Sequence, residues 1–334
     1  MSVSNKAEGQ STGRGQDARA PIIAIVGPTA SGKSALAIEV ALAGGGEIVN
    51  CDSVQVYQRI LIATAKVPLN ERRGVPHHLI DLVPPEKNFT AGEWARAAIE
   101  TIEQIEARDH RAILAGGTGL YLRALRQPFF PSPATDADLR SRLTRIRERH
   151  GPTHLHRMLR RLDAVEAEKL NPRDWPRVQR AIEVCFQTGK TMSEQRPLRP
   201  EPHTIAARLR IIALNPPRAE LYARINQRTE QHFANGLVEE VRGLLTEGVP
   251  AESNALGAHG YRRVGEFLRG QRDLASAIEQ TKQDVRHYAK RQLTWFRHEP
   301  GVEWFEGFGE DPRLQEQVIA TVMSSERWVK PESH

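Results

Sequence analysis

The 334-residue chain has only two cysteines, Cys51 and Cys185, far apart in sequence. Two such thiols, without metal-ligand spacing, exclude a disulfide scaffold and a zinc site and fit a reducing, cytoplasmic setting. Long apolar runs are also missing. A stretch such as residues 21–26 is far shorter than the ~20 residues a membrane-spanning helix needs. Residues 1–19 are rich in Ser, Gly and Gln and hold no apolar core. They have the form of neither a signal nor a transit peptide and are expected to be a disordered tail. No internal repeat is visible. Acidic residues are the minority charge: 41 Asp and Glu against 47 Lys and Arg give a net +6, a lean toward anionic partners that an ordinary basic protein can share.

What is present is a phosphate cradle. Gly27-Pro28-Thr29-Ala30-Ser31-Gly32-Lys33-Ser34 fits the P-loop pattern. It follows a β-branched apolar run at residues 21–26 and precedes an Ala/Leu-rich run at 35–42 that reads as a helix. Strand, loop and helix thus come in the order in which backbone N–H groups and a helix N-terminus converge on phosphate oxygens. Lys33 adds a point charge, and the Ser34 hydroxyl sits where a Mg²⁺ ligand is needed. The bland alternative is a Gly-rich turn.

Further strands are expected at 47–51 and 111–115, and a helix over 91–107 with Trp94, Ala98, Ile102 and Ile105 on one side. Thr90 and Glu93 have capping-box spacing before that helix. Alternation of this kind predicts an α/β fold: a P-loop NTPase-like parallel sheet core flanked by helices. Ligands bind such sheets at the carboxyl ends of the strands, where the P-loop, Asp52-Ser53 and Gly116-Gly117-Thr118-Gly119 fall. Prolines 128, 131 and 133 mark a change of composition, after which residues 136–189 are charge-dense and helical. A strand returns at 209–214, followed by helices at 218–235, 237–247 and 275–297. The expected domains are therefore a core over 20–127 and 201–325 and an all-helical insertion domain over 128–200.

Asp52, just past a strand beside the P-loop, suits proton acceptance or a water-mediated metal contact; a turn aspartate is the plain alternative. The last long helix interleaves Arg286, Lys290, Arg291 and Arg297 with Tyr288 and Trp295, over a stripe of Val285, Ala289, Leu293 and Phe296 expected to be buried. Such a face is either merely solvated or contacts phosphates and stacked bases. Arg140, Arg142, Arg157, Arg160, Arg161, Arg173, Arg177 and Arg180 add basic clusters to the insertion.

Taken together, these motifs resemble the bacterial tRNA dimethylallyltransferase (tRNA isopentenyltransferase) family. The P-loop, Asp52-Ser53-Val54-Gln55-Val56-Tyr57, Thr64-Ala65-Lys66, residues 76–81 and Gly116-Gly117-Thr118-Gly119-Leu120-Tyr121 follow the family order. So do residues 177–183, Thr188-Gly189-Lys190 and residues 288–297, and the resemblance spans about 21–307. Three departures stand out: Ala63 for Gly, Val67 for Pro, and His259 for an aliphatic residue.

The resemblance implies transfer of a dimethylallyl group from dimethylallyl diphosphate to N6 of the adenine 3′ of the anticodon, in tRNAs reading codons that begin with U. Mg²⁺ is the implied cofactor, tRNA the partner, and a monomer the implied state. Residues 27–34 would hold the diphosphate, with Mg²⁺ on Ser34 and with Lys33, Thr118 and one of Arg224 or Arg228 assisting the leaving group. Asp52 would be the general base. Implied tRNA contacts are Asp52, Ser53, Val54, Gln55, Arg140, Arg177, Gln179, Arg180, Glu183, Tyr261, Arg262, Lys290, Arg291, Gln292, Thr294, Trp295 and Arg297. The insertion would grip the anticodon stem-loop. The principal alternative is a P-loop small-molecule kinase, with the insertion as its lid. It needs a Walker-B aspartate that only Asp52 could supply, and leaves the terminal basic-aromatic helix unexplained.

Overall fold

The computed structural model describes residues 20–324, so the tail expected over 1–19 lies outside the described residues. β1 (Ile22–Val26) runs into the P-loop, and α1 (Lys33–Gly44) begins at the loop lysine itself, earlier than the apolar run suggests. β2 (Gly46–Asn50), β3 (His77–His78), α2 (Ala91–Glu106), β4 (Arg111–Ala115) and α3 (Gly119–Arg126) complete the first half. After an all-helical stretch, α9 (Thr204–Ala207) leads into β5 (Leu209–Asn215), then α10 (Arg218–Ala234), α11 (Leu237–Thr246), α12 (Tyr261–Leu268), α13 (Leu274–Arg297), β6 (Val302–Glu306) and α14 (Pro312–Met323). The six strands form one parallel sheet in the order β3-β2-β4-β1-β5-β6.

Parallel sheets covered on both faces read as continuous apolar runs, and β1 shows why. Ile22, Ala24 and Val26 point to a core with Trp94, Ile102, Leu122 and Phe296. Ile23 and Ile25 point to the opposite core, with Leu36 and Val40 of α1 and Val318 of α14. The Thr90–Glu93 capping box is present on α2. From the fully buried face of that helix, Trp94 stacks on Tyr121 at 4.7 Å and donates from Nε1 to Asn50 O at 2.9 Å. Three elements carry no clear sequence signal: β3 is two residues long, and β6 and α14 follow the last apolar stretch that resembled a core helix.

The helical stretch contains α4 (Ala137–His150), α5 (His154–Leu162), α6 (Ala164–Lys169), α7 (Trp175–Thr188) and α8 (Met192–Gln195). It has its own small core of Leu143, Leu155, Leu159, Val178, Ala181 and Ile182. Beside that core the buried Glu183 carboxylate accepts from Arg140 Nε at 2.8 Å and Arg180 Nη1 at 3.3 Å. No helix among the described residues is long and apolar enough to cross a membrane.

The edge of the sheet is tied by a buried acid. Glu47, at the start of β2, has a side chain only 3% exposed. Its carboxylate is held by His78 Nε2 and His110 Nδ1, both at 2.6 Å, and by Arg108 Nη2 at 2.9 Å. Burial pushes the Glu47 pKa up, but these hydrogen bonds outweigh it and hold the carboxyl below its ordinary value. The cluster joins β3 and the α2–β4 turn to β2. A carboxyl depressed in the folded state stabilises fully above its unfolded pKa, and that contribution is lost as pH falls through the folded value. Glu47→Gln should therefore lower stability by about 2 kcal/mol at pH 7. In urea titrations the gap to the wild type should close progressively below about pH 4.

Candidate active site

Three loops meet at the carboxyl ends of β1, β2 and β4. Cys51 N donates to Ala115 O at 2.8 Å, Gly116 N to Ile25 O at 3.2 Å, and Thr118 N to Cys51 O at 3.1 Å. A buried side chain from α13 then clasps two of them. Gln292 Oε1 accepts from Thr29 N of the P-loop at 2.8 Å, and its Nε2 donates to Gly117 O at 3.0 Å. Gly117 is required here: a Cβ on it would lie 2.0 Å from Gln292 Nε2.

Next to these loops is a cavity of about 410 Å³. Its lining includes residues 29–34 of the P-loop together with Asp52, Arg228, Tyr288 and Gln292. Its apolar lining includes Ala63, Ile225, Phe233, Leu237 and Val285, of which Ile225 and Val285 pack with Ala30 of the P-loop. Gly27 and Pro28 form the entry to the loop, and Pro28 O accepts from Lys33 Nζ at 2.7 Å. Burial brings the Lys33 pKa down to about 8; Asp52 opposes the fall and Arg228 adds to it. Arg228 is also depressed, chiefly by burial, and makes no hydrogen bond or ion pair with another described residue. His232, on the same helix, is brought down to about 4 by burial and by Arg228, so it is neutral at physiological pH. An unpartnered, partly desolvated guanidinium near a lysine and a P-loop makes this part of the cavity suited to an anion.

Asp52 is fixed by its own turn. Its Oδ1 accepts from Val54 N at 2.9 Å and Gln55 N at 3.4 Å, while Asn50 holds its backbone on both sides at 3.0 and 3.1 Å. Val54 and Gln55 line the cavity, and Gln55 Nε2 bridges to Thr64 O at 3.1 Å and Ala65 O at 3.3 Å. Thr118 is held against the residue that follows Asp52. Its hydroxyl accepts from Ser53 N at 3.0 Å, donates to Ser53 Oγ at 3.3 Å and is engaged by the Tyr288 phenol. It is not among the residues lining the cavity, though Tyr288, which engages it, is. Of Arg224 and Arg228, only Arg228 lines it.

The residues expected to touch RNA differ widely in exposure. Arg177, Arg262, Lys290, Arg291, Thr294 and Arg297 are exposed. Gln179, Glu183, Tyr261 and Gln292 are buried, so they act from within. Gln179 Nε2 donates to Arg140 O at 3.0 Å, and Glu183 orients Arg140 and Arg180. Arg180 also donates to Pro133 O at 2.7 Å. Tyr261 donates to Glu240 Oε1 at 2.5 Å and accepts from Ala63 N at 3.4 Å. Trp295 is half-buried against Gly119, with Arg123 stacked 4.1 Å from its ring centroid. On α13 the inward stripe also differs from the apolar pattern: Ala289 and Phe296 are fully buried, Val285 and Leu293 only partly, and Gln292 takes an inner position. A hydrophobic template cannot find a glutamine whose burial is compensated by two loop hydrogen bonds. Nor does any sequence signal mark His232.

Residues 55–299 match the family model described as IPP transferase. The chain is 48% identical to the tRNA dimethylallyltransferase of Solibacter usitatus over 90% of its own length and 98% of that protein. It is 44% identical to that of Koribacter versatilis over 91% and 98% of the two chains. Among solved structures, it is similar to the tRNA isopentenylpyrophosphate transferase of Bacillus halodurans, with a TM-score of 0.67 at 33% identity over 92% and 96% of the two chains. It is also similar to a eukaryotic dimethylallyltransferase acting on tRNA, with a TM-score of 0.73 at 28% identity over 94% and 81%. These relatives are prenyl-group transferases and not kinases, so the phosphoryl-transfer alternative is not favoured. The sequence motifs, the parallel-sheet fold and these likenesses agree: the chain belongs to the IPP transferase family.

Proposed function

We propose that this protein is a tRNA dimethylallyltransferase, moving the dimethylallyl group of dimethylallyl diphosphate to N6 of the adenine 3′ of the anticodon. The observation that carries this reading is one cavity with a cationic end at Lys33 and Arg228, and a carboxylate, Asp52, close enough to influence both. As the C1–O bond breaks, its electron pair leaves with the diphosphate. Preorganised loop amides, Lys33 and Arg228 stabilise the charge that builds there. The N6 lone pair forms the new C–N bond, and the N6 proton passes to the Asp52 carboxylate. Asp52 is suited to this because its turn fixes one carboxyl oxygen. Thr118 supports that turn from behind.

Mg²⁺ fits the donor set. The Ser34 hydroxyl makes no hydrogen bond with another described residue. No three His, Cys, Asp or Glu among the described residues could hold a metal by themselves. Mg²⁺ favours such sites, taking one or two protein oxygens together with substrate phosphates. Bound there, it would help neutralise the diphosphate.

The adenine must leave the anticodon-loop stack to enter a cavity. The exposed faces available to grip the loop are Arg262, Lys290 and Arg297 on the core and Arg142, Arg157, Arg160, Arg161 and Arg177 on the insertion. Two glutamates inside these faces, Glu183 and Glu266, keep several guanidinia oriented.

Incubation with labelled dimethylallyl diphosphate should place label in bulk tRNA and none in AMP; label in AMP instead would contradict the proposed acceptor. Asp52→Ala should slow single-turnover transfer at least about a hundredfold while tRNA binding stays within a few-fold. A near wild-type rate removes Asp52 from the chemistry. Because Lys33 binds anions only when protonated, kcat/KM for dimethylallyl diphosphate should fall as pH rises through about 8. Lys33→Arg, even if less active, should lose that alkaline limb, since an arginine stays charged.

A further inference from the structure

The segment after β6 brings a carboxylate to the P-loop that the transfer reaction does not call for. Gly309 N donates to Ser31 O at 2.9 Å. The two backbones are so close that a Cβ on Gly32, whose φ is +81°, would lie 2.7 Å from Gly309 N, and the Glu310 carboxylate is closer still, with Oε2 2.2 Å from that position. Glu310 lines the same cavity as Lys33 and Arg228 and acts electrostatically on both. Its Oε2 accepts from Arg224 Nη1 at 3.1 Å. Arg224 is in turn laid over Phe308, 3.6 Å from the ring centroid. α1 has no acidic residue in its first turn and no side-chain N-cap. Helix N-termini favour negative charge, and Glu310 supplies it from elsewhere in the chain.

A fixed carboxylate here repels a diphosphate held beside Lys33 and Arg228. Its position is that of a substitute for the ligand. We propose that Glu310 is a displaceable counter-anion of the cradle: it satisfies Arg224 and the P-loop end of α1 while the site is unloaded, and the incoming diphosphate pushes it aside. Glu310 thereby weakens diphosphate binding and favours release of the product diphosphate. This rests on the diphosphate reading of the P-loop.

The test is titration calorimetry of inorganic diphosphate, with and without Mg²⁺, into the wild type and the near-isosteric Glu310→Gln. The variant should bind about three- to tenfold more tightly, the range expected for losing a partly exposed ion pair and helix-end charge. KM for dimethylallyl diphosphate should fall by the same factor. The variant should melt lower than the wild type when unloaded and no lower when saturated with diphosphate; a purely structural role would lower both. Unchanged or weaker binding overturns the proposal. Weakening confined to the Mg²⁺ titration also overturns it and makes Glu310 a metal contact. Failure of the diphosphate reading is recognised separately: the wild type itself would not bind diphosphate, and Lys33→Ala would change nothing.

Discussion

One buried amide holds the site in register. Gln292 joins Thr29 of the P-loop to Gly117 of the β4–α3 loop, and both its oxygen and its nitrogen are used. A buried amide left half-satisfied costs about 1–3 kcal/mol, so α13 cannot shift without penalty. α13 packs on α10, which carries Arg224, Arg228 and His232. The placement of one helix therefore sets both the cradle amides and the cations above them. Gly117 is part of the same constraint, since any side chain there would occupy the position of the Gln292 amide nitrogen.

Around that frame the electrostatics are deliberately unfinished. Lys33 and Arg228 both have lowered pKa values because burial strips away water that no protein anion fully replaces. Elsewhere, buried charges are closed into hydrogen-bonded sets: Glu47 with two histidines and an arginine, and Glu183 with two arginines. The contrast between closed sets in the scaffold and open cations in the cavity distinguishes a structural charge from one that awaits a ligand. Glu310 stands between these cases, paired with an arginine that is itself half exposed.

Much of this was legible in the sequence because the signals were local. The P-loop, the capping box at Thr90, the apolar run of β1 and the Pro-rich edges of the helical stretch each depend on neighbouring residues. What was not legible depends on distant ones. β3 is two residues long and is defined by pairing with β2. Tyr261, Gln179 and Glu183 sit in motifs beside exposed arginines, yet their side chains are turned inward to partners 21 to 43 residues away. The Thr118 hydroxyl is paired with Ser53, 65 residues earlier. Glu310 is nearly 280 residues from the loop it faces, so no spacing rule could bring them together.

In the proposed reaction, leaving group and base share one cavity: diphosphate at Lys33 and Arg228, and the adenine at Asp52. A crystal structure with an anticodon stem-loop and a non-hydrolysable thio analogue of dimethylallyl diphosphate tests it most directly. Diphosphate oxygens should lie within about 3 Å of Lys33 Nζ and the Arg228 guanidinium, and the flipped adenine N6 within about 3 Å of an Asp52 carboxylate oxygen. A diphosphate bound away from the P-loop, or an adenine whose N6 faces a different base, would contradict it.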